Sequence, residues 1–155
     1  MIFVRVLTAI MIYIFIMSYV DHIQKRKPHT YPNISFIIPC YNDGDSIEAT
    51  IKSIYTCYDK SKFQLIIIND HSRDNSKEVI QKLQSEYEFL FIDQEKNTGK
   101  SVALNNAAEQ AIHEIIIFID ADSLLNKDAL NDILQRLEHE KNVVAVTCPY
   151  RPSNK

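Results

Sequence analysis

The chain has almost no glycine. Of 155 residues only Gly44 and Gly99 are glycines. That excludes the GxGxxG dinucleotide fingerprint and the glycine-rich phosphate loop, which each need several. Tryptophan is absent, and the three cysteines, Cys40, Cys57 and Cys148, form no CxxC pair and leave an odd count. A disulfide framework and a zinc site of thiolates are excluded on that pattern; free thiols in a reducing compartment fit it. Excess positive charge is missing as well. The net charge is −3, so no broad basic surface argues for nucleic acid as a partner. There are no internal repeats and no low-complexity segment.

What the chain does have is apolar runs of two kinds. Residues 2–20 (IFVRVLTAIMIYIFIMSYV) are apolar apart from Arg5, Thr8 and Ser18, long enough to span a bilayer core of about 20 helical residues. A signal peptide is the competing reading, but Tyr19, Val20 and Asp21 stand where a small-x-small cleavage site would be. Residues 1–20 are therefore expected to be a transmembrane anchor, followed by a polar linker over 21–33. Lys25, Arg26 and Lys27 outweigh Arg5 and place the downstream side in the cytoplasm, at a cell membrane that the chain crosses once.

The second kind is short. Strands are predicted at 34–38, 64–69, 89–92, 115–119 and 143–147, and helices at 46–57, 76–87, 100–112 and 127–139. Asp45 and Glu48 have capping-box spacing ahead of a stripe of Ile47, Ile51 and Ile54. In the last helix Leu130, Ile133, Leu134 and Leu137 should face inward. Strands alternating with helices of this length imply an α/β fold with a parallel sheet and right-handed crossovers. Residues 34–155 are read as one such domain.

Parallel sheets bind ligands outside the carboxyl ends of their strands. The polar clusters fall there: Pro39 to Asp43 after the first strand, Asn69 to Asp74 after the second, Asn97 to Lys100 before the third helix, and Asp120 and Asp122 after the fourth strand. The last pair ends the run Ile-Ile-Ile-Phe-Ile-Asp-Ala-Asp. The Asp-x-Asp spacing is common, and Asp43 and Asp45 share it while only opening a helix. At the end of a buried strand, however, two carboxylates offer hard oxygen ligands for a divalent cation held against a diphosphate.

The segments FIIPCYN, IIINDHSRDNS, NTGKSVALNNA and IIFIDADS, in this order and spacing, resemble the family 2 glycosyltransferases of the nucleotide-diphospho-sugar (GT-A) fold. The anchor, the linker and VVAVTCPYR look most like the membrane-bound processive polysaccharide synthases, such as the poly-N-acetylglucosamine synthases. The resemblance implies that Pro39 and Tyr41 line the pocket for base and ribose, and that Asp70 accepts a hydrogen bond from the base, a uracil N–H. It implies that Lys100 lies near the base or the diphosphate, that Asp120 reaches the ribose or the metal, and that Asp122 coordinates the metal. The metal would be Mg²⁺ or Mn²⁺, and the partners a UDP-linked sugar and a growing polysaccharide acceptor. Asn69 departs from the family, which usually has aspartate there, and His71 departs where glycine is frequent, so this loop is expected to turn differently.

Inverting transfer also needs a base for the acceptor hydroxyl. In the family it lies in the second half of the domain, so no catalytic residue is assigned here. The expectation is an amino-terminal part of a synthase, with a second chain or a continued frame supplying the rest. The rival expectation is a non-catalytic remnant that binds a nucleotide or a partner.

Overall fold

The computed structural model describes residues 2–24, 31–139 and 144–147. The chain divides into two compact units, residues 31–127 and the segments on either side of them.

The first unit is a four-stranded parallel sheet with its crossover helices. In chain order it holds β1 (Ile34–Cys40), α2 (Ile47–Cys57), β2 (Phe63–Asn69), α3 (Ser76–Leu83), β3 (Leu90–Asp93), α4 (Lys100–Ala108) and β4 (Ile115–Phe118), with a 3₁₀ turn at Lys60–Lys62. The helix α1 (Ile2–Gln24) precedes them. The strand order is β3-β2-β1-β4, and every pairing is parallel, with Ile37 opposite Ile66 and Phe118, and Asn69 opposite Cys40 and Asp93. The expected α/β parallel sheet is therefore present.

The isoleucine runs of the central strands β1 and β2 are buried on both faces, so almost no position there needs a polar side chain, whereas β4 at the edge is partly exposed. Ile37, Ile66 and Ile68 on one face pack with Ala103 and Ala107 of α4, and Ile92 and Leu104 close the margin. Two alanines in register let α4 approach closely. Side chains of the opposite face, Phe36, Ile38, Leu65 and Ile67, are at most 2% exposed, and Phe36 meets the ring of Tyr58 just past α2 at 6.1 Å. Ile47, Ile51 and Ile54 of α2 are fully buried, as their spacing requires. Each such side chain contributes on the order of 2 kcal/mol by leaving water.

Several boundaries differ from the expectations. No capping box forms at α2. Its N-cap is Ser46, without a side-chain cap bond, and the turn is opened instead by the Asp43 carbonyl, which accepts from the Ser46 and Ile47 amides. Glu48 pairs with Lys52 one turn on. Helix α3 stops at Leu83 rather than 87, where the chain turns and the Tyr87 ring meets that of Tyr55 at a tilt, with centroids 4.8 Å apart. Helix α4 stops at Ala108 rather than 112, tightened by a bond from the Gln110 amide to the Ala107 carbonyl.

The expected strand at 143–147 is not formed. Residues 144–147 carry no regular structure, and Val144 is 98% exposed. An apolar run becomes a strand only through a ladder with a neighbour, and propensity alone does not supply one. Residue 143, Cys148 and the linker residues 25–30 lie outside the described residues.

In the other unit α1 is helical over Ile2–Gln24, past the expected end of the anchor at residue 20, and its described side chains, among them Phe15 and Met17, are exposed. Among the described residues no helix is long and apolar enough to cross a membrane. Helix α5 (Lys127–His139) buries Leu130 and Leu134 and half-buries Ile133 and Leu137, the inward set expected of it.

Candidate active site

A cavity of about 500 Å³ opens at the carboxyl ends of β1, β2 and β4, beside the start of α4. All six residues singled out in the sequence, Pro39, Tyr41, Asp70, Lys100, Asp120 and Asp122, line it. Cys40, Asp43, Asn97, Gly99, Ala103 and Ala121 complete its wall.

The floor around Asp70 is built from buried, mutually bonded groups. Asp70 follows β2 directly, and its amide donates to the Cys40 carbonyl, continuing the ladder by one residue. The side chain is 4% exposed, and its carboxylate accepts from the Thr98 amide (2.7 Å), the Gly99 amide (2.8 Å) and Gln94 Nε2 (2.7 Å). Both oxygens are thus engaged by the chain, which binds the loop between β3 and α4 to the end of β2. Oδ2 accepts only from Gly99 among these and keeps acceptor capacity toward the cavity. Gly99 sits at φ 87°, ψ 152°, backbone essentially reserved for glycine, and a Cβ there would meet nothing. Its requirement is conformational, whereas Gly44 is needed for space: a Cβ would lie 2.2 Å from Asn75 Oδ1 and 3.1 Å from the Ser76 amide.

The loops after β1 and β2 are stitched together. The Arg73 amide donates to Asn42 Oδ1 (2.7 Å), the Asn42 amide to Ser72 Oγ (3.0 Å), the Asp43 amide to Ser76 Oγ (2.9 Å) and the Gly44 amide to Asp74 Oδ2 (3.1 Å). Burial alone would raise the Asp74 carboxyl, but bonds from Ser76 and the Gly44 amide hold it below its ordinary value. Asp74 is accordingly the turn residue ahead of α3. Asn42 and His71 both have φ 58°. His71 therefore takes a left-handed turn, a conformation that glycine adopts more readily.

Asn69 has a structural reason. Its Nδ2 donates to Asp93 Oδ1 (2.7 Å), while its Oδ1 accepts from Ser72 Oγ (2.5 Å). An aspartate could not donate and would face the Asp93 carboxylate. Asp93 itself lies below its ordinary carboxyl range although burial opposes it, because Lys77 and Asn69 bond it. At the end of β1, burial pushes the Cys40 thiol from 9.0 up to about 11, with a Ser76 hydrogen bond opposing and Asp43 adding. Cys40 is a neutral wall group.

The other side of the cavity is open. The Ile119 amide reaches the Ile37 carbonyl (3.0 Å), which extends β4, and the chain then turns, the Ser123 amide donating to the Asp120 carbonyl. Ala121 is 3% exposed, and its carbonyl accepts from Thr50 Oγ1 of α2 (2.8 Å). A small buried residue pinned between them leaves Asp120 and Asp122 both projecting to solvent. Lys100, the first residue of α4, donates to Asp120 Oδ1 at 2.5 Å; the two side chains are 60% and 57% exposed. Among the described residues Asp122 accepts only a long 3.5 Å bond from Ser123.

Among the described residues no three His, Cys, Asp or Glu converge as a self-sufficient metal centre. Two carboxylates on a solvent-open cavity nevertheless suit Mg²⁺ or Mn²⁺, which take one or two protein oxygens and complete their shell with phosphate and water. Gln94 helps hold this site together, through bonds to Asp70 and Thr98, and is the residue that motif reading passes over. Gln94 follows β3 directly, and the rule that drew attention to polar residues at strand ends applies to it equally.

A parallel sheet with a ligand-sized cavity at its strand ends and paired carboxylates in that cavity matches a GT-A-like α/β fold. The chain belongs to Glycosyl transferase family 2, whose model matches residues 35–155. It is 36% identical over 122 residues to the poly-beta-1,6-N-acetyl-D-glucosamine synthase of Staphylococcus aureus, covering 79% of this chain and 29% of that protein. To the enzyme of the same description from Staphylococcus epidermidis it is 35% identical over 131 residues, covering 84% and 32%. The chain thus spans about a third of the length of these relatives. Among solved structures it resembles a mannosyltransferase of Pyrobaculum calidifontis in complex with GDP-Man and Mn²⁺ (TM-score 0.74, 27% identity, 81% of this chain and 37% of that one). It also resembles S. aureus TarS in complex with UDP-GlcNAc (TM-score 0.62, 26% identity, 76% and 37%).

Proposed function

We propose that this chain binds a UDP-linked sugar, N-acetylglucosamine, together with Mg²⁺ or Mn²⁺, as the donor side of an inverting glycosyltransferase that extends a polysaccharide. One observation carries the reading: six residues from four separated segments meet in one cavity at the strand ends. Pro39 and Tyr41 form the wall for base and ribose. Asp70 offers its remaining acceptor capacity to the base while its other bonds fix the loop that presents Lys100. Asp120 and Asp122 hold the cation, which when bound would offset the charge that builds on the leaving diphosphate. The likeness to poly-N-acetylglucosamine synthases and the nucleotide sugars in the neighbouring structures support the choice of donor.

The acceptor-activating base is assigned to none of these residues, so turnover is proposed to require a further segment that supplies it, from a second chain or a continued frame. We also propose that α1 anchors the chain once in the cell membrane, with the sheet on the cytoplasmic side. The apolar composition of residues 2–20 and the basic residues 25–27 support this.

The test is calorimetric titration of the detergent-solubilised chain with UDP, in Mn²⁺ and then in EDTA. Binding is expected to be strong in Mn²⁺ and to fall at least about tenfold in EDTA, as when a shared cation ligates both partners. Binding that ignores the metal would overturn the assignment of Asp120 and Asp122. Metal-dependent UDP binding without turnover, even when the remaining length found in the relatives is supplied, would favour the non-catalytic remnant.

A further inference from the structure

The ion pair between Lys100 and Asp120 raises a question of order. Asp120 is one of the two exposed carboxylates on the described cavity wall, and its Oδ1 already accepts from an ammonium at 2.5 Å. A cation and an ammonium cannot both sit against one oxygen without strong mutual repulsion. Two features show that the pair is built to part. Both side chains are more than half exposed, so water can replace either partner at little cost. The backbone at each end, by contrast, is fixed: Gly99 is bonded to Asp70 immediately before Lys100, and Ala121 to Thr50 immediately after Asp120. The side chains can exchange partners while their anchors stay in place. Within the described part of the cavity wall Lys100 is also the only cationic side chain.

We infer that Lys100 is a resident counter-cation which a divalent metal must displace from Asp120, and that the displaced ammonium passes to the diphosphate of the donor, so that metal and donor bind as a coupled pair. This rests on the donor-site reading above and adds to it a role for Lys100 in setting the binding order. Without a diphosphate the ammonium has no better partner than Asp120 and opposes the metal. With a diphosphate it moves to the phosphate oxygens, and Asp120 becomes free for the cation. By linkage, each ligand then raises the affinity for the other by the same factor.

The experiment measures free Mn²⁺ by electron paramagnetic resonance against the full chain in detergent, with and without UDP, for the wild type, Lys100→Met, Lys100→Arg and the α3 surface control Lys82→Met. In the wild type and in Lys82→Met, Mn²⁺ alone should bind weakly and UDP should tighten it at least about tenfold. Lys100→Met should bind Mn²⁺ alone about two- to fivefold more tightly than the wild type, since one opposing charge is gone from an exposed pair. Its gain on adding UDP should be correspondingly smaller. Lys100→Arg keeps a cation and should stay near the wild type, which separates charge from any change in folding. If Lys100→Met binds Mn²⁺ alone no more tightly than the wild type, while UDP still promotes Mn²⁺ binding in the wild type, the displacement is overturned and the donor site stands. If UDP promotes Mn²⁺ binding in no variant, the donor-site reading falls and this inference with it.

Discussion

The two sides of the cavity are made on opposite principles. Around Asp70 every polar group is answered by the chain itself: a buried carboxylate takes two backbone amides and a glutamine, and two loops exchange four further bonds. Around Asp120 and Asp122 the carboxylates stand in solvent with one exposed ion pair between them and the rest of the wall. The first arrangement holds itself together with one acceptor position to spare; the second leaves its carboxylates open to a ligand. Under the proposed function, the braced side would fix where the donor lies and the open side would supply ionic affinity where charge develops. Substitutions on the buried side should therefore appear first as stability, and those on the open side as binding alone.

The largest effect is expected at Asp70→Ala. It leaves the Thr98 and Gly99 amides and Gln94 Nε2 without their acceptor, and unsatisfied donors in a buried setting are costly. Stability to urea should fall by about 4 kcal/mol. A loss below about 1 kcal/mol would show that the contrast between the two sides is false, because the carboxylate would then not hold the loop.

Asn69→Asp comes next. It places a carboxylate against Asp93 and removes a donor, and a cost of about 2–3 kcal/mol is expected. Asp93→Asn in the same chain should restore most of it, since the pair then again has one amide and one carboxylate. Denaturant midpoints of the two single variants and the double variant decide this; additive losses would rule out the direct contact. Gly99→Ala should cost about 2 kcal/mol from backbone conformation alone, because its Cβ meets no atom. A neutral result in a thermal melt would contradict the positive φ.

Cys40 supplies a pH test of the same side. Its thiol is raised from 9.0 to about 11, so the folded state holds the proton more tightly than the unfolded chain. The stability tied to that proton is fully present below pH 9 and is lost as the pH rises through 11. Between pH 8 and 10 the loss should be about 1 kcal/mol. Cys40→Ala should flatten that part of the stability profile, and an unchanged slope would mean that other groups produce it.

Much of this was open to inspection in the residues. The isoleucine runs at 34–38, 64–69 and 115–119 read as buried strands, which holds for the first two while Phe118 of the third is exposed, and the polar residues after them lie at one edge as expected. Contacts between loops were not open, because nothing in the spacing of Asn42 and Arg73, or of Gly44 and Asp74, says that they bond across about 30 residues. The bracing by Gln94 was missed for the same reason. Asn69 looked like a departure until Asp93, 24 residues on, proved to be its partner. The run at 143–147 shows the converse error: β propensity without a ladder partner gave no strand. Local pattern specified the elements, and long-range hydrogen bonding specified the site.

The smallest effect on stability belongs to the residue with the largest expected effect on binding. Asp122 bonds only weakly, to Ser123, and its turn is held by Ala121 and Thr50 rather than by its own side chain. Asp122→Ala should therefore leave the urea midpoint within about 0.5 kcal/mol of the wild type, as for a surface position without partners. In the same preparation the dependence of UDP binding on Mn²⁺ should disappear. A variant that lost stability along with binding would mean that the carboxylate braces the turn, and the open side of the cavity would then be made like the buried one. A stable variant that keeps its metal dependence would move the cation to Asp120 alone or to another oxygen of the wall. Only the combination of unchanged stability and lost metal dependence preserves the division between a side braced by the protein and a side open to its ligand.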